Sequence, residues 1–166
     1  VLGYQADNGW LDRCCTTDYS APLTHSIGFA FRGIVEAFRE SQDERFRRAA
    51  VALADGLLSA MDTASGLLPG RINANWDGTV SWSCPTANAQ ISICWLLMFE
   101  AIGDTRFLAA AKAVNHRLRQ IVGKHENPGI SGGCKGSFPV DGGYAPYRDL
   151  TPRFCIEAYD LEHRLA

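Results

Sequence analysis

The chain has 166 residues, of which 46% are hydrophobic and 20% charged, and this composition is typical of one globular domain and not of a disordered segment. Its net charge of −2 comes without a basic stripe, so nucleic acid is not an expected partner. The longest apolar run, 91–99, is shorter than the roughly 20 residues of a membrane span, so no membrane partner is expected either.

The N-terminal part of the chain predicts an ordered arm followed by a helical hairpin. Residues 1–23 show no helical period and carry Gly, Asp, Asn, Thr and Pro. Apolar residues then recur at helical spacing from Thr24, the expected cap, to about Ser41, and again after Asp43. Because the connection between the two helices is so short, they must be antiparallel neighbours.

The rest of the chain predicts three more helices separated by long loops. The loop 62–84 contains a candidate β-hairpin that turns at Asp77-Gly78, with one strand over 79–82. A second loop covers 123–149. The remaining predicted helices are 85–101, a helix that begins at Asp104, and 151–165.

Two hairpins of this series repeat each other in sequence. Residues 41–46 and 102–107 share an Asp-x-Arg-Phe corner, in which the Asp is the expected N-cap and the Phe packs the corner. The connections before the first, third and fifth helices are long and the others are short. All long segments (1–23, 62–85 and 124–150) should therefore lie at one end, above the N-termini of the odd-numbered helices, and form the functional face.

Several segments resemble the six-hairpin glycosidase superfamily. The helix that starts THSIGF at residue 24, followed by the Asp-x-Arg-Phe corner, looks like one of its hairpins. The segment WSCPTANAQ (82–90) resembles the start of the next inner helix. The segments GGCKGSFP (132–139) and GYAPY (143–147) resemble those of uncharacterised bacterial proteins of this toroid type.

The resemblance implies an all-α fold, an α/α-toroid built of helical hairpins, with 1–166 as a single helical-hairpin domain. The superfamily contains glycoside hydrolases, polysaccharide lyases and sugar epimerases, and related toroids include terpenoid cyclases. A complete toroid has more than twice the number of helices predicted for this sequence. Three explanations stay open: a C-terminal part or fragment of a longer toroid with missing hairpins, self-association that completes the ring, and an open toroid.

The candidate catalytic residues lie on the functional face. His25 falls in the first turn of the first helix, where it could serve as acid or base, although a buried, hydrogen-bonded histidine is the structural alternative. Glycoside hydrolysis usually needs two carboxyl groups. The candidate partners are loop aspartates, for which capping or turn roles are the alternative: Asp18, Asp77 and Asp141.

Other side chains on this face suit sugar binding. Aromatic rings can stack on sugar rings or simply plug long loops; the candidates are Trp76, Trp82, Tyr144 and Tyr147. Asn88 and Gln90 are expected to face a cavity or to satisfy loop backbone groups. Lys135 and Arg148 suit an anionic group, with ordinary solvation as the alternative.

The sequence therefore predicts a carbohydrate-active protein that acts on a complex or acidic glycan by hydrolysis, elimination or epimerisation. The alternatives are a non-catalytic glycan-binding or scaffold module and, less favoured because no Asp-rich metal motif occurs, a terpenoid cyclase-like toroid. The six cysteines predict reduced thiols in a cytoplasmic protein. A zinc site formed by Cys14 or Cys15 with Cys84 and Cys134 is the alternative, but it lacks CxxC spacing, and no metal or cofactor is expected.

Overall fold

The computed structural model describes residues 2–15, 18–122, 126–129, 131–139 and 150–165. After a short 3-10 turn at Leu2–Tyr4, this part of the chain forms five α-helices. Their bounds are α1 (Thr24–Ser41), α2 (Glu44–Ala60), α3 (Pro85–Ile102), α4 (Thr105–Ile121) and α5 (Leu150–Leu165). No β-strand occurs in the described ranges, where isolated antiparallel bridges join the loops. The predicted all-α class is confirmed.

The two hairpins have nearly identical corners. Asp43 caps α2 by accepting the backbone N–H of Arg45 at 2.8 Å, and Asp104 caps α4 by accepting that of Arg106 at 3.0 Å. Each aspartate also binds the arginine side chain of its own corner, at 2.6 Å in the first and 2.7 Å in the second. The predicted repeat and its N-caps are confirmed.

The helices form two layers, one of α1, α3 and α5 and one of α2 and α4, with α3 at the centre. This helix packs against α1, α4 and α5, and every residue from Pro85 to Met98 is buried. It lacks an amphipathic pattern because it has no solvent face over those turns. The odd-numbered helices α1, α3 and α5 stand side by side, whereas α2 packs mainly on α1, and α4 packs mainly on α3 with a smaller contact to α5.

The long loops meet at one end of the bundle, as the topology predicts. The arm joins the loop 62–84 through the bridge between Leu23 and Arg71, and Thr24 donates its backbone N–H to the carbonyl of Gly70 at 3.0 Å. The loop 62–84 joins the segment 131–139 through the bridge between Ser83 and Phe138. No helix in the described ranges is long and apolar enough to cross a membrane.

Two local predictions are wrong. Thr24 does not cap α1, because its hydroxyl donates to the carbonyl of Pro69 and Leu23 occupies the N-cap position. The loop 62–84 does not turn at Asp77-Gly78 and has no strand at 79–82. The turn spans 73–77 instead, because the side chain of Asn73 accepts the backbone N–H groups of Asn75 at 2.9 Å and Asp77 at 3.0 Å.

Candidate functional site

A groove of about 270 Å³ runs across α1, α3 and α5 near the end that carries the long loops. Side chains from all three odd-numbered helices line it: Phe29, Arg32, Gln90, Ile93, Arg153, Phe154 and Glu157. Its size lies at the small end of the roughly 300–1,000 Å³ typical of small-molecule sites. A site of this volume suits one or two rings of a ligand.

The lining residues occupy equivalent turns of the three helices. Phe29 and Arg32 lie five and eight residues after the first residue of α1, and Gln90 and Ile93 lie five and eight residues after that of α3. On α5, Phe154 and Glu157 lie four and seven residues after the first residue, one position earlier than on α1 and α3, and Arg153 also lines the groove. Side chains three residues apart share a helix face. The groove is therefore formed by one repeated position of the helical hairpins.

Gln90 forms the floor of the groove. Its side chain is only 5% exposed, and its Oε1 has no hydrogen-bond partner within the described ranges. The close approach of α1 depends on Gly28, where a Cβ atom would lie 3.2 Å from this oxygen. A buried acceptor without a partner destabilises a fold by about 1–3 kcal/mol. This oxygen is therefore a candidate for binding a ligand that carries a hydrogen-bond donor.

Aromatic side chains flank the floor. Phe29 is 52% exposed, and its ring lies edge-on to that of Phe154, with centroids 6.3 Å apart. On its other side, Phe29 meets the imidazole of His25 at 4.7 Å, again edge-on. His25 thus lies next to Phe29, but it is not among the described residues that line the groove.

Charged side chains complete the groove and are organised around Arg32. Its guanidinium donates to Glu36 at 2.7 Å and to Glu157 at 2.8 Å, so it joins α1 to α5 above α3. Burial disfavours the charge of Arg32, but the hydrogen bonds to Glu157 and Glu36 outweigh it and raise the pKa of the guanidinium above its ordinary value. Arg153 is exposed and forms no ion pair with the described residues.

No protein-family model matches the sequence, and no curated protein matches it in sequence. Solved structures match its fold. Cellobiose 2-epimerase from Spirochaeta thermophila has a TM-score of 0.80 at 18% identity, over 99% of this chain and 45% of that chain. The enzyme of the same name from Bacillus thermoamylovorans has a TM-score of 0.77 at 16% identity, over 98% and 46%. Unsaturated glucuronyl hydrolase from Bacillus sp. GL1 has a TM-score of 0.65 at 15% identity, over 95% and 45%.

The fold is that of the six-hairpin, glycosidase-like α/α-toroids. The resemblance predicted from the sequence is confirmed at the level of fold, which is all that identities below 20% show. The chain spans about half the length of these solved structures, 45–46%. It is a partial toroid, in which α1, α3 and α5 stand side by side.

Two of the predicted aspartates have local roles in this partial toroid. Asp18 accepts the backbone N–H of Ser20 at 3.0 Å and its hydroxyl at 2.7 Å. These bonds, led by that of the hydroxyl, lower the pKa of Asp18 below its ordinary value. Asp77 is exposed and closes the turn with Asn73. Neither carboxylate lines the groove, and their catalytic role stays a prediction.

Trp76 and Asn88 lie away from the groove and hold the fold together. The indole of Trp76 is 8% exposed, packs where Gly56 has no side chain, and donates to the carbonyl of Asn8 at 3.1 Å. Asn88 is fully buried, and its side chain exchanges two hydrogen bonds with the backbone of Leu68, at 2.8 and 3.2 Å. This geometry favours loop plugging for Trp76 and backbone satisfaction for Asn88.

The other predicted binding residues are spread over the loop end. Gln90 lies in the groove, whereas Trp82 lines a separate cleft and Lys135 is half-buried on the segment 131–139. Four predicted residues lie outside the described ranges: Asp141, Tyr144, Tyr147 and Arg148. The structure therefore places Gln90 in the groove, His25 beside the groove residue Phe29, and Trp82 in a different cleft.

The cysteines of the described ranges are free thiols. Burial raises the pKa of the Cys134 thiol to about 12 and that of Cys14 to about 11, so both are protonated at neutral pH. Among the described residues, no group of three or more His, Cys, Asp or Glu side chains is arranged to hold a metal ion.

The sequence interpretation missed six of the seven groove residues: Phe29, Arg32, Ile93, Arg153, Phe154 and Glu157. The sequence signal that could have identified these residues is the repeat of the helical hairpins. Once the odd-numbered helices are aligned with their N-termini at the functional end, the two groove positions of each helix can be compared. Five of these six positions hold aromatic or polar residues where a core helix would hold aliphatic ones, and Ile93 is the exception.

Proposed function

We propose that this partial toroid is a carbohydrate-active protein that binds a sugar in the groove formed by α1, α3 and α5. The observation that carries the proposal is the Oε1 atom of Gln90, which is buried and unpartnered within the described ranges below two aromatic rings. A sugar matches this combination, because its hydroxyl groups donate hydrogen bonds while its C–H faces stack on aromatic rings.

The charged groups of the groove suit reactions that move a proton. Hydrolysis, elimination and epimerisation of a glycan all require an acid, a base or both. Glu157 lines the groove, and Arg32 fixes its carboxylate through a 2.8 Å hydrogen bond. We assign proton transfer to Glu157 together with His25, whose imidazole contacts the ring of the groove residue Phe29. Asp18, Asp77 and Asp141 remain alternative partners, and Arg153 is the candidate anchor for an acidic sugar.

The printed functions of the solved neighbours support this proposal. They are named as cellobiose 2-epimerases, an unsaturated glucuronyl hydrolase, a D-mannose isomerase and a family 8 endoglucanase. These proteins act on carbohydrates although their reactions differ. The comparison therefore favours a carbohydrate as the substrate class. It leaves the reaction open among hydrolysis, elimination and epimerisation.

One observation favours a second candidate, a non-catalytic glycan-binding module. The chain spans less than half the length of the two cellobiose 2-epimerases, 45% and 46%, so it supplies only part of the ring that those enzymes build. We infer that further hairpins, from a longer chain or from self-association, pack beside Ile156, which is 69% exposed on α5. The free thiols fit a reducing, cytoplasmic environment for either function.

Calorimetric titration with cellobiose, D-mannose and D-glucuronate tests the proposal, because the groove contains no tryptophan among its described lining residues. At least one sugar should bind, and Phe154→Ala should weaken that binding by about three- to tenfold through loss of stacking. Tyr19→Ala, which removes an exposed aromatic ring outside the groove, is the matched control. Product analysis after long incubation separates an enzyme from a binding module. Absence of binding for all three sugars, or equal affinity of the Phe154→Ala variant, would contradict the proposal.

A further inference from the structure

A second cleft of about 270 Å³ lies at the loop end of the partial toroid and shares no lining residue with the groove. Three loop segments form it, namely 62–69, 80–83 and 138–139. We propose that this cleft, centred on Trp82, is an accessory subsite that binds a neutral sugar unit of a longer glycan. The proposal rests on the carbohydrate function proposed above, but it assigns a different site.

Trp82 is the tryptophan of this chain that solvent can reach. Trp10, Trp76 and Trp95 are 6%, 8% and 0% exposed, whereas Trp82 is half-buried on the wall of the cleft. Burying an indole ring in a core stabilises a fold, so a partly exposed ring on a loop gives up part of that stabilisation. A ring in this position is suited to stacking on a ligand.

The cleft is rigid before any ligand arrives. The indole of Trp82 lies against Gly70, where a Cβ atom would approach the ring to 2.1 Å. The backbone N–H of Gly70 donates to the carbonyl of Trp82 at 2.7 Å. Ser83 and Phe138 exchange two backbone hydrogen bonds, at 2.7 and 2.9 Å, and these join the walls of the cleft. A site that is already ordered loses less conformational entropy on binding.

The lining of the cleft selects for an uncharged, amphipathic ligand. Apolar surface from Leu67, Trp82 and Phe138 alternates with serine side chains. Asp62 is the one charged residue among the described lining residues, and its carboxylate already accepts the backbone N–H groups of Ala64 at 3.1 Å and Ser65 at 3.2 Å. None of the described lining residues is a cation, and the guanidinium of Arg117 lies 5.0 Å from the ring centroid of Phe138, so the described lining itself offers no positive charge to a phosphate or a carboxylate.

The position of the cleft connects it to the groove along the loop end. The hydroxyl of Thr24, the first residue of α1, donates to Pro69, which lines the cleft, while Phe29 on the next turn of α1 lines the groove. Under this proposal, a glycan of several units that binds in the groove extends over the N-terminus of α1 to Trp82. A monosaccharide or disaccharide in the groove does not need to contact it.

Tryptophan fluorescence titration with cellohexaose, mannohexaose and hyaluronan hexasaccharide tests this subsite directly. At least one neutral hexasaccharide should cause a saturable change, and Trp82→Phe should abolish it and weaken calorimetric hexasaccharide binding by about three- to tenfold. The affinity of the Trp82→Phe variant for cellobiose or D-mannose should stay within about twofold of that of the unchanged protein, because these short sugars in the groove do not contact Trp82. Trp76→Phe is the matched control, because it removes a buried indole and should leave the response intact.

A second variant, Val80→Glu, places a longer charged side chain in the cleft without changing the seat of Trp82 on Gly70, and it should block the response in a normally folded protein. The fluorescence response should survive Phe154→Ala, which removes the groove wall. If a hexasaccharide changes the fluorescence but no short sugar binds, the subsite is supported and the groove proposal fails. No response to any hexasaccharide, or a response that Phe154→Ala abolishes, would overturn the subsite.

Discussion

Gln90 and Asn88 provide a sharp test of which buried amide serves the fold and which serves a ligand. Both lie in the first two turns of α3 and both are at most 5% exposed. Gln90→Leu removes an acceptor that has no partner within the described ranges, so it should stabilise the protein by about 1–2 kcal/mol. Asn88→Leu strands the buried N–H of Leu68, which the Asn88 side chain now accepts at 2.8 Å, and should destabilise by about 2–4 kcal/mol.

Urea unfolding followed by circular dichroism measures both free energies, and calorimetry measures sugar binding by the same variants. For a chain of this length, 1–2 kcal/mol corresponds to a rise in Tm of about 2–8 °C for Gln90→Leu. The same variant should lose about two- to tenfold in affinity for a groove-bound sugar, because it lacks the acceptor. If Gln90→Leu destabilises the protein as much as Asn88→Leu, Gln90 has a structural role and the central observation of the proposed function is wrong.

Three further predictions follow from specific contacts. Gly56→Ala should lower the free energy of unfolding by about 2–4 kcal/mol, because the added Cβ would lie 2.1 Å from the Trp76 ring. Gly33→Ala on α1 is its control, because the added Cβ would have no neighbouring atom within 4 Å; it should raise the free energy of unfolding by about 1 kcal/mol in the same urea assay. Glu157→Gln should cost less than about 1 kcal/mol, because the Arg32–Glu157 pair is 36% and 40% exposed, yet it should abolish turnover in product analysis, and retained turnover would exclude Glu157 as the proton-transfer group. The hydrogen bond from the Arg45 side chain lowers the pKa of Asp43 from 3.8 to about 2, so its contribution is present above about pH 4 and lost as pH falls towards 2; Tm should fall less over this interval in Asp43→Asn, and an equal fall would show that this carboxylate does not contribute.

The sequence predicted the helices well because several of their boundaries have a local cause. Asp43 and Asp104 cap helices through their own side chains, and Gly103 ends α3 with a positive φ of 75°. The loop 62–84 was harder, since the side chain of Asn73 sets a turn that competes with the Asp-Gly pair. In that segment a side-chain hydrogen bond outweighs the backbone preference of two residues.

The site was only partly predictable, because a sequence does not show which face of a fully buried helix meets a cavity. Asn88 and Gln90 are two residues apart, which turns their side chains by about 200° around the helix axis, so they point in nearly opposite directions. One satisfies the backbone of Leu68 and the other forms the groove floor. Distinguishing them requires the positions of α1 and α5, which depend on long-range packing.

The repeated register of the groove residues bears on how such a protein changes its specificity. Each odd-numbered helix supplies a pair of side chains three residues apart near its N-terminus, such as Phe29 and Arg32 on α1, while the corners at Asp43 and Asp104 hold the hairpins at the other end. Substitutions at the second turn therefore leave the corners intact. Evolution or a designer can exchange the chemistry of the groove one hairpin at a time, and a duplicated hairpin would enlarge it by one further pair of side chains.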